Sequence, residues 1–279
     1  MRVPENWASV IRLASFTIAD EARQKSFIAI LIICALFILM VRGCYHGDYM
    51  MNGQVVDSAK IIIMVSKITF HIIAGGVLFL AALLSMRIFR RDRGDGTQSC
   101  ILSKPVSRRQ YVSGKILGLW VLLTAVMIVL HGIVFLITSV SANMVMPEFF
   151  SASIWCSLNV LFVVLTVLLL SMMMPDIAAL LCVIGIGMIG VTADGVFAVR
   201  HSPIGQAMMQ HDAPSDFSVW QIIYTVWPKL FGVQSFAASR IGAEGFGGPV
   251  FAVPILNVGI YCMIIGALLF WRFGKEDID

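Results

Sequence analysis

Residues 154–199 read IWCSLNVLFVVLTVLLLSMMMPDIAALLCVIGIGMIGVTADGVFAV. Two apolar runs, 154–174 and 177–199, are separated here only by Pro175 and Asp176. Each is long enough to cross a hydrocarbon layer of about 30 Å as an α-helix rising about 1.5 Å per residue. The one carboxylate inside either run is Asp194, near the end of the second, where an acid reaches water or binds a cation. With so short a connection the two runs form a tight antiparallel hairpin of membrane spans.

Four further runs extend the pattern on both sides, at 27–41, 68–86, 116–138 and 250–271. The first is short: about 15 residues cover roughly 22 Å, so Lys25 and Arg42 snorkel to the two interfaces or the helix extends past them. The second has room to begin earlier, because the stretch between Lys60 and Lys67 is apolar. Over the 279 residues, 59% are hydrophobic and 13% charged, against about 45–50% and about 25% in an ordinary globular chain. This composition excludes a soluble enzyme, a nucleic-acid-binding domain and a disordered chain. The expected fold is an all-α polytopic membrane protein, with residues 1–279 forming a single transmembrane domain of six helices.

Charge gives the orientation. With the amino terminus inside, one compartment receives fourteen of the 20 basic residues: Arg2, Arg12, Arg23, Lys25, the eight between Arg87 and Lys115, Arg272 and Lys275. The positive-inside rule therefore places both termini and the 87–115 loop in the cytoplasm, with the chain in the inner membrane. The six cysteines form no C-x-x-C pair, which argues against a disulfide framework or a metal cage.

Two segments are amphipathic instead of spanning. Trp7, Val10, Ile11, Ala14 and Ile18 recur at helical spacing, with Arg12, Glu21 and Arg23 elsewhere on the wheel. This is the pattern of a helix lying in the cytoplasmic interface. Between the fifth and sixth spans, Trp220, Ile223, Tyr224, Trp227 and Phe231 fall near one face, with Pro228 ending or kinking that helix. It reads either as an external interfacial or re-entrant helix or as an aromatic belt that anchors the loop.

Motifs for chemistry are few. Gly114-Lys115 is followed by Ile116 and Gly274-Lys275 by Glu276, so neither lysine has the Ser or Thr of a phosphate-binding loop and the chain is not expected to be an enzyme. His71 and His131 sit in the second and third spans, where paired imidazoles suit a b-type haem or copper, or simple polar packing between helices. The pairs Gly114/Gly118 and Gly259/Gly266 permit close helix contact. The loop from Arg87 to Lys115 carries eight basic residues against Asp92 and Asp95. Its charge alone fits a topogenic segment that binds anionic lipid.

The order of residues in that loop says more. Arg91-Asp92-Arg93-Gly94-Asp95-Gly96-Thr97, then Ile101-Leu102-Ser103-Lys104-Pro105-Val106-Ser107-Arg108-Arg109, then Gly114-Lys115-Ile116-Leu117-Gly118 resembles the first cytoplasmic loop of the ABC type-2 permease family. The approach Asp20-Glu21-Ala22-Arg23-Gln24-Lys25 and the closing Trp271-Arg272-Phe273-Gly274-Lys275 are similar to that family as well. Gly94 stands where many members carry a second acid. The resemblance implies the transmembrane subunit of an ATP-binding cassette transporter, dimeric with a second permease copy or paralogue and served by two ATPase subunits that bind ATP and Mg. It further implies that the amino-terminal helix, with Trp7, Arg12, Glu21 and Arg23, and a short helix at about 107–114 rest on those ATPases. Lys104, Pro105, Ser107, Arg108, Arg109 and Tyr111 would make that contact; Asp92, Gly96, Thr97 and Lys115 carry the loop motif, and Trp220, Tyr224 and Trp227 the external helix. Membrane lipids are the other expected partner and nucleic acid is not one. The competing readings are a haem-binding redox subunit built on His71 and His131, and a membrane anchor or assembly factor without transport.

Overall fold

A computed structural model describes residues 7–43, 50–51, 54–55, 58–103, 106–142, 145–201, 224–241 and 252–275. The chain is all-α: α1 (Trp7–Ala22), α2 (Lys25–Arg42), α3 (Ser58–Ser85), α4 (Ile88–Gly94), α5 (Thr97–Leu102), α6 (Arg108–Ala142), α7 (Glu148–Ser171), α8 (Asp176–His201), α9 (Leu230–Arg240) and α10 (Ala252–Lys275). A two-residue antiparallel ribbon, β1 (Met50–Met51) with β2 (Gln54–Val55), lies between α2 and α3. Among the described residues five helices are long and apolar enough to span a membrane, and the α1–α2 pair, bent by 68°, makes a possible sixth.

α7 is the axis of the bundle. It is apolar on all sides, and Phe149, Ala152, Cys156, Val160 and the run 162–168 are buried against α3, α6, α9 and α10. Polar rivets set the helix register: Ser66 and Thr138 hydroxyls meet at 2.8 Å between α3 and α6, and Trp120 Nε1 donates to the Ser157 carbonyl at 3.0 Å between α6 and α7. By contrast α2, α8 and α10 turn apolar stripes outward. On α8 the stripe runs Ile177, Leu181, Ile184, Met188 and Val191; on α10 it runs Leu256, Ile260, Met263 and Ile264. Stripes of this kind face lipid or another helix.

The elements differ from the sequence expectation at three places. The short helix expected at 107–114 is the first two turns of α6, which begins at Arg108 and runs 35 residues. Ser107 and Gln110 form a reciprocal cap there: the Ser107 N–H donates to Gln110 Oε1 at 2.8 Å and the Gln110 N–H to Ser107 Oγ at 3.2 Å. That cap starts a helix which nothing downstream interrupts. At about 52 Å, α6 is longer than a hydrocarbon layer and projects beyond it. Secondly, α3 starts ten residues ahead of the expected span, at Ser58. Thirdly, Pro228 precedes a helix: Tyr224–Val226 is helical, the chain breaks at Trp227–Lys229, and α9 begins at Leu230. α9 is then tucked among α3, α7, α8 and α10, with Leu230, Val233, Phe236 and Ala237 buried. Trp220 and Ile223 lie outside the described residues.

Candidate functional site

The site is the end of the bundle where α1, α4 and the start of α6 meet. α1 lies along α6 in a groove opened by Gly114 and Gly118. A Cβ on Gly114 would stand 2.5 Å from Leu13 Cβ, and one on Gly118 would stand 2.7 Å from Thr17 Cβ and 2.8 Å from the Ala14 carbonyl oxygen. Glycine is therefore required at both positions for the helices to approach this closely. Val10 and Thr17 are buried in the contact, while Trp7, Ile11, Arg12 and Phe16 stay exposed.

Ion pairs carry the contact on to α4. Arg91 Nη2 donates to Glu21 Oε1 at 2.6 Å and also pairs with Asp20, and Gln24 donates to the second Glu21 oxygen. Glu21 is fully buried. Burial pushes its carboxyl up to about 7, against the pull of the Arg91 guanidinium. The next residue, Asp92, faces the other way and meets Lys115 Nζ at 2.7 Å with both side chains buried. Asp92 also accepts a hydrogen bond from the Tyr111 hydroxyl, and Lys115 lies 5.8 Å from the Phe16 and Tyr111 ring centroids. The Tyr111 ring packs on Phe273 of α10 and on Phe89 of α4. Arg90 reaches Asp176, the first residue of α8, at 3.1 Å. Arg91 and Asp92, adjacent in sequence, thus bind α1 and α6 to one short helix.

α5 continues the loop outward. It starts after Gly96, whose φ of +67° lies in the left-handed region that glycine tolerates. Thr97 opens the helix and Gln98 is buried, accepting from Arg93 Nε at 3.3 Å. Arg87, Arg90, Arg93, Arg108 and Arg109 are all exposed and form a basic rim around the hub. Arg108 donates to the Gly274 carbonyl of α10 at 3.3 Å. Lys104 and Pro105 lie outside the described residues. Arg23 is exposed near the α1–α2 bend.

Of the expected site residues, Glu21, Asp92, Tyr111 and Lys115 come together as one buried cluster, joined by Arg91, which charge density alone did not distinguish from its neighbours. Ser107 acts as a cap. Tyr224 and Trp227 lie at a different place, the crossover into α9. There Trp227 Nε1 donates to the Ile186 carbonyl at 2.8 Å, Tyr261 donates to the Val226 carbonyl, and Lys229 Nζ stands 4.0 Å over the Tyr224 ring. Asn159 donates to the Leu230 carbonyl at 2.8 Å, and Asn257 accepts the Lys229 N–H at 3.0 Å. Asp194, expected at a water-facing helix end, is instead half-buried near Lys229 and accepts a backbone hydrogen bond from Gly232. His131 engages both ring nitrogens, with Ser153 Oγ at 2.7 Å and the Phe70 carbonyl at 3.4 Å, and His71 stacks on Phe231. These are packing contacts between helices. Among the described residues no group of three His, Cys, Asp or Glu converges.

No curated protein matches the chain. A family model described as ABC-2 family transporter protein does match, over residues 13–278, which takes in the α1–α6 groove, the loop between α3 and α6, and all the apolar helices. A bundle of apolar helices with a basic, cross-braced loop at one end, matched over nearly its whole length, is that of a transporter subunit: the chain belongs to the ABC-2 family of transporter proteins.

Proposed function

We propose that the chain is the permease subunit of an ABC transporter whose ATP hydrolysis takes place in separate ATPase subunits carrying ATP and Mg. The observation that carries the proposal is the hub of α1, α4 and α6, where the buried pair Asp92–Lys115 and the partly exposed Arg91 on buried Glu21 make a single stiff body beneath an exposed rim of arginines. A lever must be rigid within itself and accessible at its surface. The hub has both properties. In this reading the rim, including Arg108 and Arg109, and the neighbouring Lys104-Pro105 segment receive the ATPase, and α6, which is continuous from the rim to Ala142, delivers the motion to the bundle.

The hub end is the cytoplasmic end. The amino-terminal helix, the end of α10 and the basic loop all meet there through Arg91–Glu21 and Arg108–Gly274. Both termini are then cytoplasmic in the inner membrane, in line with the positive-inside rule. α2 serves as the first span and α9 as a re-entrant plug at the outer end, and the outward stripes of α2 and α8 are surfaces for lipid and for a second permease copy. Transport proceeds by alternating access of the paired subunits, with export as the direction.

The test is co-purification with the cognate ATPase. The variant Arg108→Glu/Arg109→Glu is expected to fold normally and to lose most ATPase binding or ATP turnover. Normal assembly and turnover in that variant would contradict the coupling role.

A further inference from the structure

A second concave feature lies beside the hub, between α1, α6 and α10. It is a cleft of about 510 Å³, within the roughly 300–1,000 Å³ of ligand pockets. Trp7, Phe270 and Trp271 form its apolar walls, and Arg109, Gln110 and Ser113 its polar side. Gln110 is occupied by the Ser107 cap, and Arg109 makes no ion pair among the described residues. Among the described residues no carboxylate lines the cleft. At its rim Lys275 stacks 4.1 Å over the Trp271 ring. From Trp271, exposed Leu268, Ile264 and Ile260 continue along α10 at helical spacing.

We propose that this cleft binds an anionic phospholipid of the cytoplasmic leaflet. The phosphate sits at the Arg109 guanidinium, whose planar fork offers two parallel donors to phosphate oxygens, with the Ser113 hydroxyl as a further donor. Trp7 and Trp271 flank the glycerol region, at the depth where amphipathic indoles settle. One acyl chain then follows the Leu268–Ile264–Ile260 stripe. Such a lipid touches α1, α6 and α10 together. It fills the gap between the hub and the last span, so its headgroup charge bears on how firmly the two are joined.

The test uses the full chain alone in mild detergent, without ATPase. It is titrated with phosphatidylglycerol or phosphatidylcholine of identical acyl chains, and bound lipid per chain is read by native mass spectrometry. Wild type is expected to prefer phosphatidylglycerol about fivefold, the worth of one basic residue near an anionic surface. Arg109→Gln should abolish that preference, and Arg109→Lys should keep part of it. Ser113→Trp, which fills the cleft, should lose both lipids. Arg12→Gln removes an exposed charge of α1 outside the cleft and should leave the preference intact. Equal affinity of wild type for the two lipids, an unchanged preference in Arg109→Gln, or a chain that dimerises through this cleft and binds no lipid there would overturn the proposal. Because Arg109 is exposed, a thermal unfolding midpoint within a few degrees of wild type separates loss of the site from loss of the fold.

Discussion

Two regions of the bundle, the hub and the α9 crossover, are fastened by different chemistry. At the hub, side chains bind side chains: Arg91 to Glu21, Lys115 to Asp92, with glycines letting α1 touch α6. At the α9 crossover, side chains bind backbone: Asn159, Asn257, Trp227 and Tyr261 satisfy the carbonyls and N–H left open where Pro228 interrupts the helix. Neutral hydrogen bonds to a kinked backbone hold one fixed shape. Buried ion pairs between separate helices contribute little net stability, but losing one partner is expensive. The hub is thus the region most sensitive to losing one side of a buried pair.

Substitutions in both regions test that contrast. Lys115→Ala leaves Asp92 buried with only Tyr111 as partner, and about 3–5 kcal/mol of stability should be lost, read as a lowered unfolding midpoint in detergent. Gly118→Leu drives a side chain into Thr17 and the Ala14 carbonyl, so α1 must lift away; about 1–3 kcal/mol is expected, with faster proteolysis of the first 24 residues. At the α9 crossover Asn159→Ala orphans the Leu230 carbonyl and should cost about 1–3 kcal/mol, less than Lys115→Ala. If it costs more, the contrast between the two regions is wrong.

A further effect is one of pH. Glu21 titrates at about 7 in the folded chain, above its ordinary 4.5, so the folded state holds the extra proton more tightly than the unfolded one. Its contribution to stability is full below about 4.5 and is lost as pH rises through about 7. Wild type should lose stability over that window. Glu21→Gln should flatten the loss, as read by unfolding midpoints at pH 5 and pH 8.

Much of this arrangement was legible in the sequence. Apolar run lengths fixed the spanning helices because a bilayer tolerates few other solutions. The Asp92–Lys115 pair lay within the motif that resembled the family, and the structure brings the two to 2.7 Å. Of the two glycine pairs, Gly114/Gly118 has α1 pressed against it, whereas Gly259 has nothing within 4 Å. Spacing alone could not separate them, since close approach depends on which helix arrives from elsewhere in the chain. The same holds for Arg91: one arginine among eight basic residues becomes special only when α1 folds over α4. At the crossover Pro228 marks the break, as expected, but does not say on which side the longer helix lies. Asn159 and Asn257 settle that through contacts about 71 and 28 residues away.

The central claim is that the hub works as one body between the ATPase and the spans. It is tested most directly by ATP turnover of the complex in vesicles with Arg91→Gln, which cuts α1 from α4 without touching the rim residues Arg108 and Arg109. The account predicts that the ATPase still co-purifies with the permease while turnover falls by about an order of magnitude, some 1.4 kcal/mol of coupling. Wild-type turnover in a complex carrying Arg91→Gln would contradict it.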